Sequence, residues 1–235
     1  MSTPTQAIDA LWAGFRGPEV CLWPSEYAAN DAETAWAFVR NCWTWNEAES
    51  AEQPMPDRGY LEAYCHEWHA CLTTGRTLIT EKCRRMVVSW AARALELHQM
   101  GLGRCDQVLV GEDLEAAAKH VWRLRFLYDG LRKRHPDWEL PAASDLKYEG
   151  ERKLKSFTLA NGSTCGYANG QSSGLQGEGV RIITLEELGI YRYPASILAQ
   201  SKIVTQGSAG SVGGFVNVIT NASVNAEWQR IKRAS

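Results

Sequence analysis

The chain has 235 residues, with 25 Lys+Arg against 27 Asp+Glu and a formal net charge of −2. Hydrophobic residues make up 45%, which excludes a disordered or fibrous chain and suffices for one large domain or two small ones. The near-neutral balance argues against coating of nucleic acid by bulk charge while leaving a local basic patch open, no apolar run approaches the ~20 residues of a membrane span, and the N-terminus lacks the basic-then-apolar layout of a secretion signal.

Asp31 to Trp43 places Ala, Trp, Phe and Val at helical spacing and predicts a helix. Glu47 to Gly59 is polar, holds Pro54 and Pro56, and reads as a loop. Tyr60 to Leu72 resumes helical spacing with Leu61, Tyr64, Trp68 and Leu72. Thr77 to Thr80 is a short strand, Val87 to Met100 a helix, and Gln107 to Val110 a second strand. Asp113 to Arg134 is a long helix with Leu114, Ala117, Val121, Leu124 and Leu131 inward. Ser156 to Leu159 and Ser163 to Tyr167 flank Asn161-Gly162 as a hairpin on an Asn-Gly turn. Val180 to Leu185 and Phe215 to Thr220 are buried-type strands. Strands separated by helices imply a mostly parallel sheet covered on both faces, with ligands at its carboxyl ends.

Two strand ends carry the chemistry. After the first strand, Glu81-Lys82-Cys83-Arg84-Arg85-Met86-Val87-Val88-Ser89 gathers three cations and a hydroxyl in a strand-to-helix loop. Backbone N–H groups and the positive end of a helix bind phosphate there, a cationic side chain assists, and a hydroxyl completes a Mg2+ shell. The ordinary P-loop has Gly-Lys before its Ser/Thr, whereas Val87 and Val88 stand in those places. Further on, Ile182-Ile-Thr-Leu185 ends in Glu186-Glu187. In nucleoside triphosphatases the first such carboxylate holds the metal and the second polarises the attacking water. A Glu-Glu pair at a helix start favoured by the helix dipole is the plainer alternative. The last strand ends in Thr220-Asn221, polar groups placed to sense a γ-phosphate.

These residues resemble the ATPase domain of the large terminase subunit, the motor that packages DNA into tailed-phage capsids. Four elements in family order carry the resemblance. They are the aromatic, proline-bearing lead-in (Trp43-Thr-Trp45 and Pro56 to Leu61), the front-shifted cation of Lys82 to Ser89, the Gly174-Leu-Gln-Gly177 approach to Glu186-Glu187, and Val218 to Ser223 at the coupling motif. The departures are Glu186 for the usual Asp, Gln176 for a common Arg, and the missing Gly-Lys. The resemblance implies an α/β fold with a mostly parallel central sheet flanked by helices. It is a P-loop NTPase of the additional-strand type, with an N-terminal helical and aromatic subregion. The expected domains are 1–58 for that Trp-rich subregion, 59–225 for the ATPase core and 226–235 for a tail towards a nuclease domain that this chain lacks.

The resemblance further implies ATP and Mg2+ as cofactors. Lys82 and Arg84 would neutralise phosphate, and Cys83, Arg84, Arg85, Met86, Val87, Val88 and Ser89 would cradle it. Ser89 and Glu186 would hold the metal, Glu187 would position the water, and Thr220 and Asn221 would report the γ-phosphate. Implied partners are double-stranded DNA, a homo-oligomeric ring on a capsid portal and a small terminase subunit. No membrane is involved, and the setting is the cytoplasm of an infected bacterium. A neighbouring subunit supplies an arginine in such rings, for which Arg152 is a guess. Two other functions are a catalytically silent nucleic-acid-binding module, favoured by Val87-Val88, and a helicase-like ATPase, for which 235 residues leave no second motor domain.

Other conspicuous groups have plainer explanations. His66 and His69 sit at i, i+3 within Cys65 to Cys71, but no second ligand pair follows, so two surface histidines are favoured over zinc. Seven scattered cysteines read as reduced thiols. Arg132-Lys133-Arg134 closes the long helix, where cations suit the dipole, and a solvated helix end is favoured there over contact with DNA phosphate. Lys147, Arg152, Lys153 and Lys155 form a second basic stretch, and for it solvent and DNA phosphate are equal alternatives.

Overall fold

Most of the apolar runs of the sequence assemble into one sheet in the computed structural model, which describes residues 20–83, 86–147, 154–170, 180–205, 214–223 and 225–234. A separate two-stranded ribbon pairs β1 (Trp43–Asn46) with β2 (Ala51–Pro54). The seven-stranded sheet contains β3 (Leu78–Lys82), β4 (Gln107–Gly111), β5 (Ser144–Lys147), β6 (Leu154–Thr158), β7 (Thr164–Asn169), β8 (Ile182–Glu186) and β9 (Phe215–Asn221). Its spatial order is β3-β9-β8-β4-β7-β6-β5. The first five of these are mutually parallel, and β6 and β5 complete the sheet antiparallel. The helices are α1 (Ala32–Asn41), α2 (Gly59–Thr74), α3 (Val88–Leu102), α4 (Leu114–Arg134), α5 (Pro194–Thr205) and α6 (Ala226–Ala234).

The period-2 alternation of strand side chains sorts the two faces. Ile182 on β8 and Phe215 and Ile219 on β9 join the larger core, which contains buried residues of α1 to α4. Ile183, Leu185, Val216 and Val218 point the other way, into a smaller core with Ile197 and Leu198 of α5 and Trp228 of α6. Thr184, Glu186 and Asn217 share the parity of the first set and therefore face α3. All three are buried.

Local chemistry sets the helix ends. Asp31 accepts from Thr34 N at 2.8 Å and Asp113 from Ala116 N at 2.7 Å, each an N-cap worth about 1 kcal/mol. Gly75 closes α2 at φ 66°, the left-handed region that glycine enters freely. By contrast, α3 begins at Val88 with no side-chain cap. Every residue of α3 from Ala91 to Gly101 is buried, so four polar residues, Arg93, Glu96, His98 and Gln99, lie inside the protein. Gly101 is required where it stands, since a Cβ there would come within 2.0 Å of the Trp23 ring.

Several expectations are corrected. The first helix stops at Asn41, and Trp43 belongs to β1. Part of the expected Glu47–Gly59 loop is β2, a mostly exposed polar strand that hydrophobic patterning does not reveal. The Asn161-Gly162 hairpin pairs Thr158 with Thr164, and Leu159 N donates to Ser163 O. The loop is therefore Ala160–Gly162, a three-residue type with Gly162 at φ 82°. Leu114, expected inward, is 53% exposed in the first turn of α4. β3 extends to Lys82, which places that cation on the strand rather than in the loop. Trp23 and α1, from before residue 58, share one core with α2 to α4.

Candidate functional site

The carboxyl ends of β3, β9 and β8 lie side by side, and each ends in a polar residue. Lys82 and Asn221 are register partners at the tips of β3 and β9. Glu187, one residue beyond β8, adopts φ 58° and ψ 33°, a left-handed conformation that is uncommon for a residue with a Cβ. Its N–H donates to Ile219 O at 2.6 Å, and its carboxylate turns back across the strand tips. There Glu187 accepts from Asn221 N at 2.9 Å, Asn221 Nδ2 at 2.8 Å and Lys82 Nζ at 3.3 Å. Lys82 Nζ also donates to Asn221 Oδ1 at 3.3 Å. The Lys82 side chain is 9% exposed and that of Glu187 29%, so this cluster opens to solvent through Glu187.

The second cluster lies beneath it, between β8 and α3. Ser89, in the first turn of α3, donates to Glu186 Oε2 at 3.1 Å. Arg93, one turn further on, donates Nη1 to Glu186 Oε1 at 3.1 Å. Its Nε and Nη2 go to the two oxygens of Glu96 at 2.5 and 2.6 Å. Thr184 Oγ1 donates to Glu96 Oε1 at 2.5 Å, and Asn217 Nδ2 reaches Thr184 Oγ1 at 3.4 Å and Tyr64 Oη at 3.0 Å. Burial opposes the Arg93 charge, but Glu96 and Glu186 outweigh it and hold the guanidinium above its usual range. Burial likewise pushes the Glu96 carboxyl up, with Arg93 pulling against it. His120 of α4 stands 3.7 Å from Glu186 Oε1, and burial, then the Arg93 and Arg123 cations, hold it neutral, well below the usual histidine range. Arg123 closes this side, its Nη1 at 3.3 Å from His120 and its guanidinium 5.5 Å above the Trp90 ring.

Of the residues expected from sequence, Lys82, Ser89, Glu186, Glu187 and Asn221 are therefore brought together. Thr220 is not. It is fully buried, and its hydroxyl accepts from Gly189 N at 3.1 Å and donates to Asn221 O, which takes it away from the cluster. Val88 is 2% exposed and packs in the core, and Val87 lies against that core. Cys83 is exposed, and its carbonyl accepts from Met86 N at 3.4 Å. Arg84, Arg85, Arg152 and Gln176 lie outside the described residues. The basic end of α4 is tied within the chain: Arg132 donates to Leu140 O at 2.9 Å, and Arg134 pairs with Glu52 and lies over Trp43. His66 pairs with Glu33 at 3.6 Å, and His69 bonds Asn30 O at 3.1 Å.

Sequence reasoning missed Arg93, Glu96, His120, Arg123 and the Tyr64–Asn217 pair. A usable signal was present: Arg93 and Glu96 stand at i, i+3 in a helix otherwise rich in Ala and Leu.

The site also fits a magnesium ion. The Ser89 hydroxyl and Glu186 Oε2 are hard oxygens 3.1 Å apart, and Arg93 engages the other carboxylate oxygen. Among the described residues no group of three or more His, Cys, Asp or Glu gathers to cage a metal alone. Mg2+ keeps waters and substrate phosphates in its shell, so two protein oxygens suffice for it.

β9 lies between the cation-bearing β3 and the carboxylate-bearing β8, the strand order expected of an additional-strand P-loop NTPase fold. The structure is similar to that of the HK97 bacteriophage large terminase, with a TM-score of 0.55 and 11% identity over 87% of this chain. The chain spans 42% of that protein's length. The Thermus phage P74-26 large terminase ATPase domain, in an arginine-to-alanine variant, matches at a TM-score of 0.48 and 12% identity, over 74% of this chain and 69% of that one. No protein-family model matches the sequence, and no curated protein matches it. The chain shares its fold with part of the HK97 bacteriophage large terminase.

Proposed function

We propose that this chain hydrolyses ATP as the motor domain of a DNA-packaging terminase. The observation that carries the reading is the convergence of Lys82, Asn221 and Glu187 on adjacent parallel strand ends, beside the uncapped start of α3 with its Ser89–Glu186 pair.

Each residue has a physical role. The Lys82 ammonium at the end of β3, low in solvent exposure, neutralises β- and γ-phosphate oxygens, and Arg84, two residues on in sequence, adds a second cation. Backbone N–H groups from Cys83 to Ser89, with no capping side chain to compete, cradle the phosphates. Ser89 Oγ and Glu186 Oε2 would hold Mg2+, which when bound neutralises the developing charge on phosphate oxygens. Glu187 accepts the proton of the attacking water, and Asn221 orients its carboxylate. Lys82 is shared between Glu187 and Asn221. A γ-phosphate that draws Lys82 to itself frees a lone pair of Glu187 for the water and tells Asn221 that the site is filled.

The resemblance around Lys82 and Glu186-Glu187, together with the likeness in fold to the HK97 large terminase, supports coupling to movement of double-stranded DNA by a ring of subunits. The test is ATP binding and turnover by the purified chain and by Lys82→Ala, with and without duplex DNA. Lys82→Ala is expected to lose roughly 2–4 kcal/mol of transition-state stabilisation, and DNA is expected to stimulate the parent. Binding without hydrolysis under every condition selects the silent module, and parental behaviour in Lys82→Ala removes the phosphate-loop assignment.

A further inference from the structure

Arg93 and Glu96 are fully buried and 3 residues apart on α3, and neither faces the open part of the site. We propose that they are positioning residues that set the affinity of Glu186 for a divalent cation, an inference that rests on the nucleotide-hydrolysis reading above.

A guanidinium presents its donors in a rigid fork, so the way that fork is divided decides how much positive charge each carboxylate receives. Glu96 takes the Nε and Nη2 edge at 2.5 and 2.6 Å, and Glu186 receives only Nη1, at 3.1 Å and on Oε1. Thr184 Oγ1, at 2.5 Å, fixes Glu96 in that pose. Arg93 thus divides its bonds between two carboxylates and gives Glu96 the larger share, so that Glu186, which also feels the charge of Arg123, keeps its Oε2 the less neutralised oxygen. Glu186 Oε2 carries the remaining negative charge towards Ser89, the partner with which it would hold a cation. Glu96 acts as a decoy: without its charge, Arg93 would spend itself on Glu186 and oppose any metal there. Arg93 in turn pins Oε1, so that the longer Glu side chain presents one oxygen rather than swinging between two.

The arrangement predicts effects that differ between variants. Glu96→Gln turns Arg93 against Glu186 and weakens cation binding. Replacing both, Arg93→Met with Glu96→Met, removes the opposing charge along with the decoy and leaves the Glu186 carboxylate intact. Thr184→Val loosens Glu96 and acts in the same direction as Glu96→Gln, but less.

The experiment uses the whole chain and a fluorescent ATP analogue, titrated with Mg2+, with Mn2+ bound to the protein–nucleotide complex followed by paramagnetic resonance. Circular dichroism confirms the fold of each variant. Glu96→Gln is expected to bind metal-free nucleotide like the parent and to need about ten-fold more Mg2+ or Mn2+ at its midpoint, the range in which groups behind a metal ligand act. Thr184→Val shifts the midpoint about two- to three-fold, and the double Met variant stays within about three-fold of the parent. A folded Glu96→Gln with the parental midpoint overturns the proposal. If that variant does not fold, Thr184→Val with a parental midpoint overturns it, as does a double variant impaired ten-fold or more. A parent chain whose nucleotide binding ignores divalent cations overturns the hydrolysis reading and this inference with it. A parent with normal metal dependence and unshifted variants overturns this inference alone.

Discussion

Glu186 and Glu187 are neighbours in sequence with opposite surroundings. Glu186 ends a strand, is 2% exposed, and takes its partners Ser89, Arg93 and His120 from two helices packed against the sheet. Glu187 lies one residue past the strand in a left-handed conformation and takes its partners Lys82 and Asn221 from the tips of neighbouring strands. The first set is locked by the core, and moving any member uncovers a buried charge. The second opens to solvent through Glu187, and its bonds can be exchanged for those of a ligand. One residue of chain separates a rigid half of the site from an exchangeable half, and the backbone turn at Glu187 makes the division.

That contrast is sharpest in stability. Arg93→Met leaves Glu96 and Glu186 buried and uncompensated, and breaking a buried pair in this way costs about 3–5 kcal/mol. Lys82→Met breaks a pair that solvent reaches through Glu187 and is expected to cost less than about 1 kcal/mol. Urea unfolding of the two variants checks this, and equal losses would erase the distinction between the halves.

The core that locks the first set also carries a pH dependence. Burial pushes His98 of α3 down to about 4; the Tyr27 carbonyl accepting its Nε2–H at 2.8 Å and the charge of Asp31 pull it up, and His69 pushes it down. Below pH 6.5 the unfolded chain binds a proton that the folded chain refuses. Stability from this group is therefore complete above pH 6.5 and falls as the pH drops towards 4, by about 3 kcal/mol in total. His98→Gln should flatten the decline between pH 6.5 and 4, with His120 retaining a slope of the same sign. A decline that His98→Gln leaves unchanged assigns the sensitivity elsewhere.

The open half should instead carry the turnover. Glu187→Gln keeps the shape and the bond to Asn221 N but abolishes the base, so hydrolysis should drop about 10²-fold, roughly 2.7 kcal/mol, with unfolding midpoint and ATP binding near parental values. Parental turnover in this variant removes Glu187 from the mechanism.

The same division governs what could be seen beforehand. The strands β4, β8 and β9 and the acidic pair were legible because continuous apolar runs and their polar ends are local patterns. Asn221 was legible at a strand end, Lys82 as a cation just after a strand and Ser89 as a hydroxyl at the start of the following helix. The i, i+3 spacing of Arg93 and Glu96 was a local signal for a pair, but helical spacing does not say that α3 is enclosed on every side and the pair therefore buried. His120 and Arg123 reach the site through the packing of α4 on α3, a long-range fact absent from any window of sequence. The β1–β2 ribbon was missed for a related reason: an exposed polar strand closed by Pro54 looks like a loop.

The smallest effect asks where the rigid half ends. Tyr64 Oη donates to Asn217 Oδ1 at 3.3 Å and accepts from Asn217 Nδ2 at 3.0 Å, which in turn lies 3.4 Å from Thr184 Oγ1. Tyr64→Phe removes one hydroxyl from this chain and leaves the buried Asn217 with a single weak contact. The cost should be about 1 kcal/mol, the size of a neutral hydrogen bond lost without opening a cavity. Glu96 keeps its own bonds to Arg93 and Thr184, so the Mg2+ midpoint for nucleotide binding should stay where it is in the parent. Unfolding and metal titrations on the same preparation separate the two quantities. A shift of the Mg2+ midpoint comparable to that of Thr184→Val extends the metal-tuning network through Asn217 to α2. An unshifted midpoint with the stability loss places its boundary at Thr184, and leaves Tyr64 as a strut between α2 and the sheet.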